Sequence, residues 1–142
     1  MDQNKTILIV DDNEVIVKTL ALKLEAGGYR TISALDGSEA LSAVRKETPD
    51  LILLDISFPP DVASGGGVPW DGFRMLEWFR RMEEAKSIPT IIITGGEAAK
   101  YKDRALAAGA AAFFHKPINH DELLGTIAKI LSQQPKPTVA QR

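Results

Sequence analysis

Residues 5–12 read KTILIVDD. Lys5 to Val10 forms an apolar and β-branched run that stops at two adjacent carboxylates, Asp11 and Asp12. A run of this length suits a strand better than a helix, and one that is apolar on both faces belongs inside a sheet covered on both sides. The pattern recurs downstream. Leu51–Leu54 reads LILL and ends at Asp55, and Pro89–Thr94 reads PTIIIT and is followed by Gly95-Gly96. Ala111–His115 is a shorter run of the same kind, closed by Lys116-Pro117. Tyr29–Ala34, with Thr31 and Ile32, reads as a weaker strand.

The stretches between these runs carry helical periodicity. Residues 13–26 place Val17, Leu20, Ala21 and Leu24 on one stripe, and Gly27-Gly28 ends the helix. Residues 38–47 (Ala40, Leu41, Val44), about 72–84 (Phe73, Leu76, Phe79) and 97–108 read as three more helices. Asn119 opens the last, with Glu122 three positions on in capping-box spacing and Leu123, Leu124, Ile127 and Leu131 as its apolar face. Strands alternating with helices predict an α/β fold, a doubly wound five-stranded parallel sheet. Right-handed crossovers bring every strand's C-terminal end to one edge, where ligands bind in such sheets. Residues 1–132 are read as one domain, and 133–142, with Pro135 and Pro137, as a flexible tail or linker stub.

Composition narrows the chemistry. The 142 residues suit one domain, and 44% hydrophobic with 25% charged is ordinary for a globular protein. The absence of cysteine excludes disulfides, thiolate metal sites and cysteine nucleophiles, and two histidines exclude a multi-histidine zinc site. A formal net charge of -2 argues against direct nucleic-acid binding. No apolar run approaches the ~20 residues of a membrane span, and the MDQNK start lacks a signal region, so the expectation is a cytoplasmic protein that does not enter a membrane.

On this topology three carboxylates (Asp11, Asp12, Asp55), the hydroxyl of Thr94 and the ammonium of Lys116 meet at one sheet edge. Two like charges ~4 Å apart repel by about 4 kcal/mol at an effective dielectric of 20, so the carboxylates need a cation, a shared proton or both. All-oxygen ligands suit Mg2+, which commonly bridges carboxylate and phosphate. A carboxylate nucleophile beside Mg2+ and lysine is suited to accept a phosphoryl group. Taken alone, the Asp11–Asp12 pair also fits plain helix capping by Asp12. Phe113 also fits a core role, with alternation sending one of Phe113 and Phe114 inward and the other outward. His115 and His120 are read as surface residues with no assigned part.

The motifs ILIVDD, LILLD, IIIT and FFHKP, in this order at the ends of strands one, three, four and five, resemble the receiver domain of two-component response regulators over roughly residues 5–132. The resemblance implies a flavodoxin-like (βα)5 sheet of strand order 2-1-3-4-5 with helices on both faces. It implies that Asp55 is the phosphoacceptor and that Asp11, Asp12, Asp55 and the main-chain carbonyl of Ser57 hold Mg2+. It makes Lys116 the lysine that pairs first with the acceptor and then with the phosphoryl oxygens, Thr94 the hydroxyl that moves to them, and Phe113 the aromatic that turns inward. The Lys116–Pro117 bond matches one that is usually cis in the family. The implied donor is a histidine kinase or phosphotransfer protein. The implied output is a protein partner of the surface made by the fourth helix, fifth strand and fifth helix. Such a domain catalyses its own phosphorylation and dephosphorylation but is chiefly regulatory. The alternative is a receiver-like binding module that works without phosphorylation.

Two departures stand out. The Asp-Gly pair that opens the third helix in the family is Asp71-Gly72 here, about nine residues later than the pattern, which implies an inserted loop at about 60–70. Such a loop, ending at Trp70, reads either as a harmless surface insertion or as a segment that partly covers Asp55 and tunes donor access or phosphoryl lifetime. Gly95, where the family prefers a small residue such as alanine, implies a more open approach to the acceptor.

Overall fold

The structure, a computed structural model, describes residues 5–56, 72–95 and 98–133. Ten elements alternate: β1 (Thr6–Val10), α1 (Glu14–Ala26), β2 (Arg30–Ala34), α2 (Gly37–Glu47), β3 (Leu51–Asp55), α3 (Gly72–Arg81), β4 (Thr90–Thr94), α4 (Ala98–Ala107), β5 (Ala112–His115) and α5 (His120–Ser132). The strands form one parallel sheet in the order β2-β1-β3-β4-β5. The inserted loop, Ser57, Trp70, Gly96 and the tail from residue 134 lie outside the described residues.

Both faces of the sheet are covered, and strand alternation divides the core in two. Ile7, Ile9, Leu51, Leu53, Ile91 and Ile93 pack with Val17, Leu20 and Leu24 of α1 and Leu123 and Ile127 of α5. Leu8, Val10, Ile52, Leu54 and Ile92 pack with Ala40 and Val44 of α2, Met75, Leu76 and Phe79 of α3 and Ala105 of α4. β1, β3 and β4 are buried along their whole lengths, which is why they read as continuous apolar runs.

Several boundaries differ from the sequence reading by a cap. Asn13 is the N-cap of α1, not its first helical residue: its backbone is extended (φ −97°, ψ 108°) and its side chain accepts from the N–H groups of Val15 and Ile16. Asp36 caps α2 in the same way, accepting from Glu39 N at 2.9 Å, while Glu39 Oε1 accepts from Leu35 N at 2.9 Å. The pair is a variant of the capping box, with Glu39 reaching back to the N–H before the cap instead of to that of Asp36, and α2 starts one residue before the expected position. Asn119 caps α5, as its spacing predicts, accepting from Glu122 N at 3.0 Å. α3 stops at Arg81 instead of Glu84, and turns at Met82 and Ala85 carry the chain into β4.

Phe113 and Phe114 do not divide into one buried and one outward ring. Both are half-buried, Phe113 against the α2–α3–α4 core and Phe114 against the α1–α5 core, because β5 has covered faces on both sides.

Candidate phosphoryl-acceptor site

Three backbone hydrogen bonds extend the ladders one step past the strand ends. Asp11 N donates to Ala34 O at 3.1 Å, Ile56 N to Ile93 O at 2.9 Å and Lys116 N to Thr94 O at 2.8 Å. These bonds fix the backbone under each strand-end side chain. Strand parity then sorts the side chains. Asp11 continues the series Ile7 and Ile9, Asp55 continues Leu51 and Leu53, and Lys116 continues Ala112 and Phe114, so all three belong to the α1–α5 side. Thr94 continues Ile92 on the opposite side, the side on which Phe113 packs.

Lys116 Nζ lies 3.0 Å from Asp55 Oδ2 and 3.6 Å from Asp11 Oδ2. One oxygen each from Asp11, Asp12 and Asp55 lies within 4.8 Å of the other two. Asp11 and Asp55 are only 2% and 3% exposed, whereas Asp12 is open to solvent. Two carboxylates are therefore largely desolvated and one faces the medium from which a cation would arrive. The Lys116–Pro117 peptide is cis, as the motif predicts.

The electrostatics record the crowding. Burial, reinforced by the charge of Asp55, raises the Asp11 pKa from 3.8 to about 6, against the opposing pull of the Asn13 N–H and of Lys116. Burial also works against the Lys116 ammonium, but its hydrogen bond to Asp55 and the charges of Asp55 and Asp11 outweigh that cost and hold its pKa above the ordinary value. One ammonium against three carboxylates leaves the site with excess negative charge, and an all-oxygen donor set of this size fits a hard divalent cation.

Asp12 is not the helix cap, since Asn13 fills that position, and its exposed carboxylate is left to the cluster. Thr94 is buried at the end of β4, 1% exposed. Phe113 is half-buried, Gly95 is exposed and Ser57 is outside the described residues. His115 is exposed, whereas His120 is half-buried and lines a small groove with Val15, Ile16, Thr19, Lys116 and Pro117. The residue that the sequence reading passed over is Asn13. Its residue type at the start of the α1 pattern is a cap signal, but one that it shares with Asp12.

Comparison with known proteins agrees with this geometry. The family model for the response regulator receiver domain matches residues 7–128. The polar-differentiation response regulator DivK of Brucella ovis is 35% identical over 127 residues, covering 89% of this chain and 96% of its own length. Among solved structures, a CheY-like response regulator receiver domain protein from Methanospirillum hungatei superposes with a TM-score of 0.79 at 32% identity, over 94% of this chain and 98% of its own. The receiver domain of NtrX from Brucella abortus gives 0.76 at 28% identity, over 89% of this chain and 98% of its own.

Proposed function

The chain belongs to the response regulator receiver domain family and is a phosphoacceptor signalling switch of a two-component system; on that premise we propose that Asp55 accepts the phosphoryl group. The observation that carries this reading is the contact of Lys116 Nζ with Asp55 Oδ2 at 3.0 Å inside a cluster of three carboxylates. A carboxylate oxygen of Asp55 attacks phosphorus, the bond from phosphorus to the donor's histidine nitrogen breaks, and that nitrogen keeps the electron pair. Asp11, Asp12 and Asp55 would hold Mg2+, with the carbonyl of Ser57 added from the family resemblance. When bound, the ion offsets charge on the phosphoryl oxygens. Lys116 is within reach to leave Asp55 and pair with those oxygens. Thr94 supplies a hydroxyl from β4, and Phe113, on the same side of the sheet, can fill the space that hydroxyl vacates.

Phosphorylation adds about −1.5 to −2 charge at pH 7 and new acceptor oxygens, which bias the surface of α4, β5 and α5 between two states. The donor is a histidine kinase or phosphotransfer protein and the output is a protein partner, without direct nucleic-acid or membrane binding. The described residues contain no helix long and apolar enough to cross a membrane, consistent with a cytoplasmic setting. Residues 1–132 form the switch, which catalyses its own phosphorylation and dephosphorylation, and 133–142 serve as tail or linker. The inserted loop at about 60–70 tunes access to Asp55.

The test is intact mass after incubation with acetyl phosphate. Wild type should gain one phosphoryl group in the presence of Mg2+, and neither Asp55→Asn nor a Mg2+-free sample should. Equal labelling of Asp55→Asn would refute the assignment. An unlabelled wild type, with rapid hydrolysis excluded by a trapped time course and a phosphohistidine donor also failing, would make the domain a phosphorylation-independent binding module.

A further inference from the structure

We propose that Asn13 is a positioning residue for the acidic cluster, holding the Asp11 carboxylate through a double turn between β1 and α1. The inference rests on the reading that this cluster binds Mg2+. Asn13 N donates to Asp11 Oδ1 at 2.9 Å, and Asn13 Oδ1 accepts from Val15 N at 2.9 Å and from Ile16 N at 3.3 Å. The bonds to Asn13 N and to Val15 N are Asx-type, each from a side chain to a backbone N–H two residues on, and they overlap at Asn13; the bond to Ile16 N reaches one residue further. The Asn13 carbonyl, meanwhile, accepts from Val17 N at 3.0 Å as the first rung of α1.

The consequence for Asp11 follows from its burial. At 2% exposure its oxygens have little access to water. Oδ1 is held by the Asn13 N–H, which leaves Oδ2 as the atom nearest Lys116, at 3.6 Å. Rotation of the carboxylate about its last torsion would break the first contact to release the second. The direction of that N–H depends on Asn13 keeping its extended backbone, φ −97° and ψ 108°, which the side-chain cap stabilises. Asp12 is the middle residue of the first turn, so the same bond constrains its backbone. The amide is also the right chemistry. An aspartate would cap equally well but would set a fourth negative charge beside three carboxylates.

A cap that only stabilises α1 would leave metal affinity unchanged, so the experiment separates the two roles. Mg2+ binding to the full chain is measured by calorimetry for wild type, Asn13→Ala, Asn13→Ser and Leu22→Gly, each checked for folding by circular dichroism. Leu22 is exposed on α1 away from the site, and its replacement weakens the helix without touching the turn. Asn13→Ala should weaken Mg2+ binding about three- to tenfold. That is less than the 10–100-fold typical of losing a direct partner of a metal ligand, because the backbone N–H remains. Asn13→Ser, which restores the cap, should return to within about twofold of wild type, and Leu22→Gly should match wild type. Asn13→Ala binding within twofold of wild type, or Leu22→Gly losing as much as Asn13→Ala, would overturn the inference. A wild type that binds no Mg2+ would remove the reading beneath it, and the inference with it.

Discussion

Asp11→Asn should stabilise the metal-free domain at neutral pH, although it removes a side chain from the centre of the site. The Asp11 carboxyl titrates at about 6 in the folded protein against 3.8 for an unperturbed group. Roughly two pKa units at 1.36 kcal/mol each place the cost of ionising Asp11 in the fold on the order of 3 kcal/mol. The folded state holds this proton more tightly than the unfolded chain does. The stabilising contribution is therefore complete below about pH 4 and disappears as pH rises through about 6. About half is already gone at pH 5, so a further one to two kcal/mol, roughly, goes between pH 5 and 7.5. Asparagine carries no such penalty, and its carbonyl oxygen can still accept from the Asn13 N–H. The assay is urea denaturation of wild type and Asp11→Asn at pH 5 and 7.5 in EDTA, taking the difference of differences so that all other carboxylates cancel. The variant should gain on the wild type as pH rises. Saturating Mg2+ should then reverse the order, since ligand at a hundred times its dissociation constant adds about 3 kcal/mol to the protein that binds it. A variant less stable than wild type at pH 7.5 in EDTA, or a gap independent of pH, would refute the claim that burial and the neighbouring charge set this carboxyl.

Two further expectations concern the scaffold. Thr90 is fully buried at the start of β4 and its hydroxyl has no hydrogen-bond partner among the described residues, so Thr90→Val should be neutral or stabilise by up to about 1 kcal/mol; a clear loss in chemical denaturation would disprove the orphaned hydroxyl. Gly125 and Gly109 should respond in opposite senses to alanine. A Cβ at Gly125, within α5, meets nothing within 4 Å, whereas one at Gly109 meets Arg80 Nε at 2.9 Å on a backbone with φ +105°. Gly125→Ala should therefore gain about 0.5–1 kcal/mol, and Gly109→Ala should lose about 1–2 kcal/mol from its left-handed backbone alone. Equal melting temperatures for the two variants would contradict both statements.

Much of the fold was legible because β1, β3 and β4 are buried on both faces. Burial on both faces removes the alternation that would make them resemble surface strands and leaves unmistakable apolar blocks such as LILL and TIII. One-sided alternation fails at β5, because Phe113 and Phe114 each pack against one of the two cores and both faces of that edge strand are covered. The end of α3 was not legible either, because Met82, Glu83, Glu84, Ala85 and Lys86 all have good helix propensity. The break there is made by turns closed onto Met82 and by the burial of Ala85 and Ile88.

The candidate site was legible to the depth of parity. Once the strands are parallel and in register, Asp11, Asp55 and Lys116 can be counted onto the same side and Thr94 onto the other without a coordinate. Parity brings side chains together but does not orient a carboxylate within the cluster. That last step belongs to the turn after β1, where Asp12 and Asn13 are both good capping residues and composition cannot choose between them. The backbone chooses: an extended Asn13 hands the cap to the amide and leaves Asp12 exposed beside Asp11 and Asp55. A cap at Asp12 instead would engage its carboxylate with backbone N–H groups and draw it away from the cluster. The charge count of the site is therefore decided by a helix cap, a local choice that the hydrophobic pattern does not register.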